Sequence, residues 1–393
     1  MSTFASTLAW LDTSERDRRR ALDVIDLFAL RDTRDELGIA AVRDSWADRL
    51  APGTSTIQTR ARYFLFIPWI YQRLQGSGRG TGPVEAKARR HEIDLIAAIL
   101  ASDEDGVPIG ARAGRGLQRL PSTIYWNGLG RLGIRLWPGS QAAFHRALTG
   151  LEHDPWHPHL PPPPEDFPQR VVLALRPEEA QFLREQVRSH ATDSLLRFLM
   201  ELDEFAEGPK LPWEHPARSS FPPQLANWVD HAEAFAVVMH GAALLYNLML
   251  AERLRDARQA DPKGLVETYR DRLSSWSQDV LAWKGGSYGW DRAEFWQRTR
   301  ELAPRLPTRT EGFCEAWIER ALAAMNPEAL ASDSSARDLV ERREGWLKKN
   351  RSRLRHREHL EQWGGAAGAD RIDYRWGITQ RLVRDVQEGL AKP

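Results

Sequence analysis

The sequence has a single cysteine, Cys314, among its 393 residues, and it lacks an excess of charge of either sign. One cysteine cannot build a disulfide framework or a cysteine-ligated zinc site, and such sparse use of cysteine fits a reducing compartment. The 55 basic and 54 acidic side chains leave a formal net charge of +1. Whole-protein charge therefore gives no reason to expect an acidic partner, and any such signal must be local.

Long apolar runs are also missing. No stretch approaches the roughly 18 consecutive apolar residues of a membrane-spanning helix. The opening residues, MSTFASTLAWLDTSERDRRR, lack the basic start and apolar stretch of a signal peptide. We therefore expect no membrane segment and a cytoplasmic location.

What the sequence does contain is helical periodicity. Hydrophobic residues make up 42% and charged residues 28%, which is typical of a soluble globular protein. Apolar residues recur at helical spacing, and no alternating run is long enough to require a large sheet. The pattern predicts a mostly α-helical protein, and its length favours two domains.

The predicted domains are separated by a proline-rich stretch. The N-terminal helical domain, residues 1–150, starts with short helices in a helix-turn-helix-like arrangement and contains a Gly/Arg-rich segment at 106–140. Residues 151–170, LEHDPWHPHLPPPPEDFPQR, are typical of a stiff linker. Residues 171–393 form the predicted C-terminal helical domain, with the apolar helix WVDHAEAFAVVMHGAALLYNLMLAERLRDAR at its centre.

The stretch PGTSTIQTRARYFLFIPWIYQRL, residues 52–74, begins with a capping-box pattern at Ser55 and Gln58 and then becomes apolar on nearly every face. A helix that reads a DNA groove needs a polar outer face, so we predict a buried central helix, kinked at Pro68. Only its first turns, with Thr56, Thr59 and Arg60, are expected to reach a surface, where helix N–H groups can meet a phosphate.

Two short motifs have weak chemical meaning. GLGRLG at 128–133 matches a dinucleotide-binding pattern and follows the strand-like STIYW, but Pro138 and Gly139 stop the helix that such a site needs. HDPWHPH at 153–159 supplies histidines whose intervening prolines prevent a helix from aligning them. We predict no nucleotide cofactor and no metal.

Glu233, His240 and Asn247 recur every seven residues along the apolar helix and so share one face. A carboxylate beside an imidazole can act as acid and base, which makes Glu233 and His240 weak candidates for catalysis by a hydrolase or nuclease. A polar seam that ties helices together explains the same spacing.

The strongest local charge is in RREGWLKKNRSRLRHR, residues 342–357. Such a run can neutralise several phosphates and give salt-dependent binding to nucleic acid. The alternative is a solvated helix face neutralised by acids such as Glu341, Glu358 and Glu361. The candidate nucleic-acid-binding residues are Arg342, Arg343, Lys348, Lys349, Arg351, Arg353, Arg355 and Arg357, with Arg60 and Arg62 from the earlier helix.

Four stretches give the chain a resemblance to a bacterial family of unestablished function. They are LAWLDTSERDRRRALDVIDLF, DELGIAAVRDSWADRLAPGTSTIQTRARYFLFIPWIYQRL, LPSTIYWNGLGRLGI and WGGAAGADRIDYRWGITQRLV. The second is the most specific, and together they extend from residue 8 to about 383. The resemblance implies gene neighbourhoods of helicases and nuclease-like proteins in phage-defence or mobile-element islands. It supplies no catalytic residues.

The sequence therefore favours a protein that binds DNA, or a DNA-bound protein complex, as an accessory component of a bacterial anti-phage or mobile-element system. Two alternatives stay open. One is a hydrolase or nuclease that uses the Glu/His pair, and the other is a non-catalytic scaffold subunit for a helicase or nuclease complex.

Overall fold

The computed structural model describes residues 35–76, 83–102, 109–110, 116–202, 209–261, 263–286 and 289–392. The stretch SERDRRRALDVIDLFAL predicts a helix over residues 14–30 that begins the helix-turn-helix-like arrangement, and this stretch lies outside the described residues. Within them the protein is mostly α-helical, as predicted, and the only extended pairing is an isolated bridge between Arg135 and Trp156. The helices are α1 Ala40–Leu50, α2 Tyr63–Gly76, α3 Val84–Ala101, α4 Pro121–Arg131, α5 Gln141–Ala147, α6 Pro177–His190, α7 Leu195–Met200, α8 Pro223–Arg258, α9 Leu265–Gly286, α10 Arg292–Leu302, α11 Thr308–Ala323, α12 Ser334–Lys348, α13 Arg357–Glu361 and α14 Trp376–Leu390.

The chain divides into two compact units, and each is built from separate parts of the sequence. The first unit comprises residues 1–41, 235–290 and 305–372, and the second comprises residues 42–234, 291–304 and 373–393. Residues 151–170, predicted as a linker, belong to the second unit. There Trp156 and Phe167 are buried, and the Trp69 indole donates a hydrogen bond to the Pro161 carbonyl.

Helix α8 is the long apolar helix that the sequence predicts. Among the described residues it is the one helix long and apolar enough to cross a membrane, yet 89% of its most apolar window is buried inside the protein. That burial is consistent with the core helix of a soluble protein. In the first unit, the indoles of Trp276 and Trp317 donate to the carbonyls of Val237 and Val238 at 2.8 and 2.9 Å. Gly241 allows this approach, because a Cβ there would lie 2.2 Å from the Trp276 ring.

Helix α2 is buried, as predicted, but it begins later than the capping pattern indicates. It starts at Tyr63, since Ser55 and Gln58 form a turn in which the Gln58 amide donates to the Gly53 carbonyl at 3.0 Å. Just before α2, the Ala61 N–H donates a hydrogen bond at 2.7 Å to the carboxylate of Asp385, a residue that is distant in the sequence.

The sequence predicts one continuous helix over residues 176–202 and another over residues 335–362, and both are interrupted. The first breaks into α6 and α7 at Asp193, and the second breaks after α12 at Lys349. Both residues have left-handed backbone conformations, with φ of 54° and 50°.

The strand-like STIYW is helical, because it forms part of α4. Gly128 of GLGRLG packs this helix against the Gly53 carbonyl, which a Cβ would approach to 2.4 Å.

Candidate nucleic-acid interface

The basic run 342–357 covers the end of α12, a short 3₁₀ turn at Lys349–Arg351 and the start of α13. All of it lies in the first unit. Folding separates its cations into a buried or partly buried group and an exposed group. The two groups have different consequences for binding.

Arg343 is in the buried group. Its guanidinium lies over the Phe313 ring, and burial lowers its pKa. It donates hydrogen bonds to the carbonyls of Leu37, Gly38 and Arg309 and to the Thr310 hydroxyl, at 2.8 to 3.1 Å. Its donors are thus committed to the protein interior, and Arg343 holds three segments of the first unit together.

Lys348 and Arg353 belong to a buried ionic cluster with Glu36, Glu344 and Tyr246. Lys348 pairs with Glu36 and donates to the Tyr246 hydroxyl at 2.8 Å, while Arg353 pairs with Glu36 at 2.8 Å. Glu344 accepts from the Arg353 backbone N–H at 2.7 Å. Two carboxylates balance two cations here, so this cluster stabilises the fold and offers no net charge to a partner.

The exposed group gathers around Gly345. Arg342 and Trp346 are four residues apart and so lie on one face of α12, and Lys349 directly follows the last residue of that helix. Arg355 covers Gly345 between them, because a Cβ on that glycine would lie 2.6 Å from the Arg355 Cζ. We call Arg342, Trp346, Lys349 and Arg355 the α12 basic face. This short segment contains three exposed cations and an exposed indole.

Trp346 is the aromatic member of this face and is 42% exposed. The guanidinium carbons of Arg309 and Arg343 each lie 5.2 Å from its ring centroid. An exposed indole flanked by arginines can stack on a nucleic-acid base while neighbouring cations neutralise phosphates. Within α12, Asp338 lies four residues before Arg342 and so shares its side of the helix.

The acids expected to neutralise the run do so only in part. Glu361 pairs with Arg357 at 2.8 Å, but Glu341 pairs instead with Arg253 of α8 at 2.7 Å. Among the described residues, Arg342, Lys349 and Arg355 have no carboxylate within ion-pair distance, so the α12 basic face keeps an excess of positive charge.

Arg60 and Arg62, in the second unit, form internal ion pairs. Arg62 is 3% exposed, pairs with Glu179 at 2.7 Å and donates to the Val172 carbonyl at 2.8 Å. Arg60 pairs with Asp385 at 2.8 Å. These two arginines anchor the start of α2.

Glu233 and His240 make hydrogen bonds and ion pairs with different partners. Glu233 pairs with Arg218 at 2.9 Å. The His240 Nε2 lies 3.1 Å from the Ala369 carbonyl, and burial lowers its pKa to about 4, so the ring is neutral near pH 7. Asn247 both donates to and accepts from Ala367 at 2.8 Å. His240 and Asn247 thus tie segment 367–369 to α8, as a polar seam does.

Sequence reasoning missed Gly345 and Arg309. A glycine inside a predicted helix is a detectable signal, because it costs about 1 kcal/mol relative to alanine and often marks a close approach. Arg309 gives no such signal, since its position over Trp346 depends on how α11 and α12 pack.

The fold and this surface define an all-α protein with a basic, tryptophan-bearing face. The family described as "Family of unknown function (DUF6361)" matches residues 5–389, so the chain belongs to that family. No curated protein and no solved structure matches the chain significantly.

Proposed function

We propose that this protein is a DNA-binding or DNA-associated accessory protein of a bacterial anti-phage defence or mobile-element system, acting in the cytoplasm. The observation that carries the proposal is the α12 basic face. Exposed cations around an exposed tryptophan provide the two ingredients of sequence-tolerant nucleic-acid binding, which are phosphate neutralisation and base stacking. The biological setting rests on the resemblance of four sequence stretches.

The internal contacts of three basic side chains limit which residues of the run can contact DNA. Arg342, Lys349 and Arg355 are available to phosphates, while Arg343, Lys348 and Arg353 are held by internal partners. DNA contact therefore involves a smaller set than the whole basic run. A helix-turn-helix-like N-terminal segment remains part of the proposal as a further contact.

The test is fluorescence anisotropy with labelled duplex and single-stranded DNA at two salt concentrations. We expect binding at low salt that weakens as salt rises, because bound phosphates release counterions. The variant R342E/K349E is expected to bind at least about tenfold more weakly, since it removes two phosphate contacts and adds repulsion.

The control is R188E/R381E, which changes net charge by the same amount at exposed arginines outside the face. It is expected to bind within about twofold of the unmodified protein. Absence of binding at low salt, or equal losses in both variants, would refute a role for the α12 basic face. A protein that binds no DNA alone but copurifies with a helicase would instead be a scaffold.

A further inference from the structure

A second basic feature of the first unit is a cavity at the C-terminal end of α8. Its volume is about 60 Å³, which is enough for several waters or one small anion. Leu254 and Leu265 line its apolar part together with Trp363, and Arg255, Arg258 and Lys263 supply positive charge. Nothing in the sequence analysis pointed to this site.

The charged side chains around this cavity sum to +1, with Arg255, Arg258 and Lys263 against Asp256 and Asp261. Arg255 pairs with Asp256 at 2.8 Å. Asp261 also lines the cavity, but its carboxylate accepts hydrogen bonds from the backbone N–H groups of Leu265 and Val266, both at 2.9 Å. Among the described residues, Arg258 and Lys263 have no carboxylate within ion-pair distance.

Trp363 forms part of the cavity wall. The residue is 6% exposed, and its indole Nε1 is shielded from solvent and has no hydrogen-bond partner in the described part of the chain. The adjoining Gly364–Gly365 turn is held in place by Tyr269, whose hydroxyl donates to the Gly365 carbonyl at 2.7 Å.

We infer that this cavity binds a phosphoryl group. Two cations without acidic partners suit a compact, highly charged anion, and arginine and lysine are the side chains that most often bind phosphate. The small volume selects a single phosphoryl group over a whole nucleoside. The group can be a free phosphate or the terminal phosphate of a nucleic acid.

The site is linked through α8 to the basic run. Arg253, two residues before Arg255, donates to the Leu354 carbonyl and pairs with Glu341. The phosphoryl site does not depend on the proposed DNA contact, however, because it uses none of the residues of the α12 basic face.

The first arm of the test is phosphorus NMR of inorganic phosphate with the full-length protein, at an ionic strength held constant with sodium chloride. We expect the protein to broaden the phosphate signal. The variant R258A/K263A is expected to weaken binding at least about tenfold, since it removes both cations without acidic partners. R188A/R381A serves as the matched control and is expected to behave as the unmodified protein.

Two further variants make the result specific. W363F retains an aromatic ring in the cavity wall and leaves both cations in place, so we expect it to bind phosphate as the unmodified protein does. R342E/K349E is expected to bind inorganic phosphate normally, so failure of this site and failure of the proposed DNA contact are distinguishable. No broadening by the unmodified protein, or undiminished broadening by R258A/K263A, would overturn the inference.

The second arm identifies the source of the phosphoryl group. Oligonucleotides of one sequence are compared with and without a 5′-phosphate. Tighter binding of the phosphorylated strand, lost in R258A/K263A, identifies a nucleic-acid end. Equal binding of both strands, together with phosphate broadening that R258A/K263A abolishes, identifies a free phosphate compound.

Discussion

Replacing Glu92 by glutamine should remove a pH dependence from the stability of the protein. Glu92 lies on α3, is 1% exposed and accepts hydrogen bonds from the Ser122 N–H at 2.8 Å and the Ser122 hydroxyl at 2.7 Å. Burial raises the pKa of Glu92 from 4.5 to about 7, although the two bonds from Ser122 act in the opposite direction. The carboxyl is therefore neutral in the folded protein under mildly acidic conditions.

The sign and size of the effect follow from linkage. Between pH 4.5 and about 7 the folded state holds a proton that the unfolded state releases, so stability falls as pH rises through this window. A shift of about 2.5 pKa units corresponds to about 3 kcal/mol. Below pH 4.5 and well above pH 7 the two states bind equal numbers of protons at this site, and the contribution is constant.

The measurement is urea unfolding, followed by tryptophan fluorescence, of the unmodified protein and E92Q between pH 4 and pH 8. The quantity of interest is the difference between their free energies of unfolding. Burial lowers the pKa of His145, which gives a slope of opposite sign, but that contribution is common to both proteins and cancels. We expect the stability of the unmodified protein relative to E92Q to fall by about 3 kcal/mol from pH 4.5 to 8.

Infrared spectroscopy tests directly whether Glu92 is protonated in the folded protein, independently of any general change in stability. Infrared difference spectra at pH 6 should show a neutral carboxyl band in the unmodified protein that E92Q lacks. A free-energy difference that stays constant with pH, with no neutral carboxyl band at pH 6, would show that Glu92 is ionised in the fold and would refute the reasoning.

Three other substitutions test separate features. G345A should keep α12 folded, because alanine favours a helix by about 1 kcal/mol relative to glycine. It should displace Arg355 and so weaken DNA binding, measured by fluorescence anisotropy, several-fold. Unchanged DNA binding would exclude Arg355 from the interface. R343A should lower the free energy of unfolding by about 3 kcal/mol or more, because it leaves buried carbonyls without donors; a loss below about 1 kcal/mol in urea would contradict its role in the core. D385N should lower the free energy of unfolding by about 2–3 kcal/mol, because it removes the ion-pair partner of the partly buried Arg60. Thermal denaturation measures this loss, and an unchanged melting temperature would argue against the pair.

The sequence predicts a helix and its burial best where the residues of that helix alone show that it must be buried. Helix α8 is recognisable because its apolar residues cover nearly the whole surface, and a helix of that kind must be buried. The interruption at Lys349 is not recognisable in the same way. It occurs where Glu344 accepts hydrogen bonds from Ser352 and from the Arg353 backbone, and a local pattern of helix formers cannot reveal these contacts.

The same reason explains why the basic run was only partly interpretable. Whether an arginine is an internal anchor or a surface cation depends on residues far away in sequence. Arg343 is committed by carbonyls 305 and 306 positions earlier, at Gly38 and Leu37. Arg342, its neighbour in the chain, is exposed. Counting charges along the sequence detects the basic run, but it cannot tell the exposed cations of the run from those held inside the fold.

The pairing of Glu36 with Lys348 has a consequence for synthesis of the chain. The two residues are 312 positions apart, so at roughly 5–20 residues per second the ribosome makes Lys348 about 15–60 s after Glu36. During that interval the early segment cannot form the ionic cluster. A ribosome that stalls before residue 348 would release a chain in which Glu36 has neither of its cations, and the first unit could not be completed. Its assembly therefore has to follow synthesis of most of the chain.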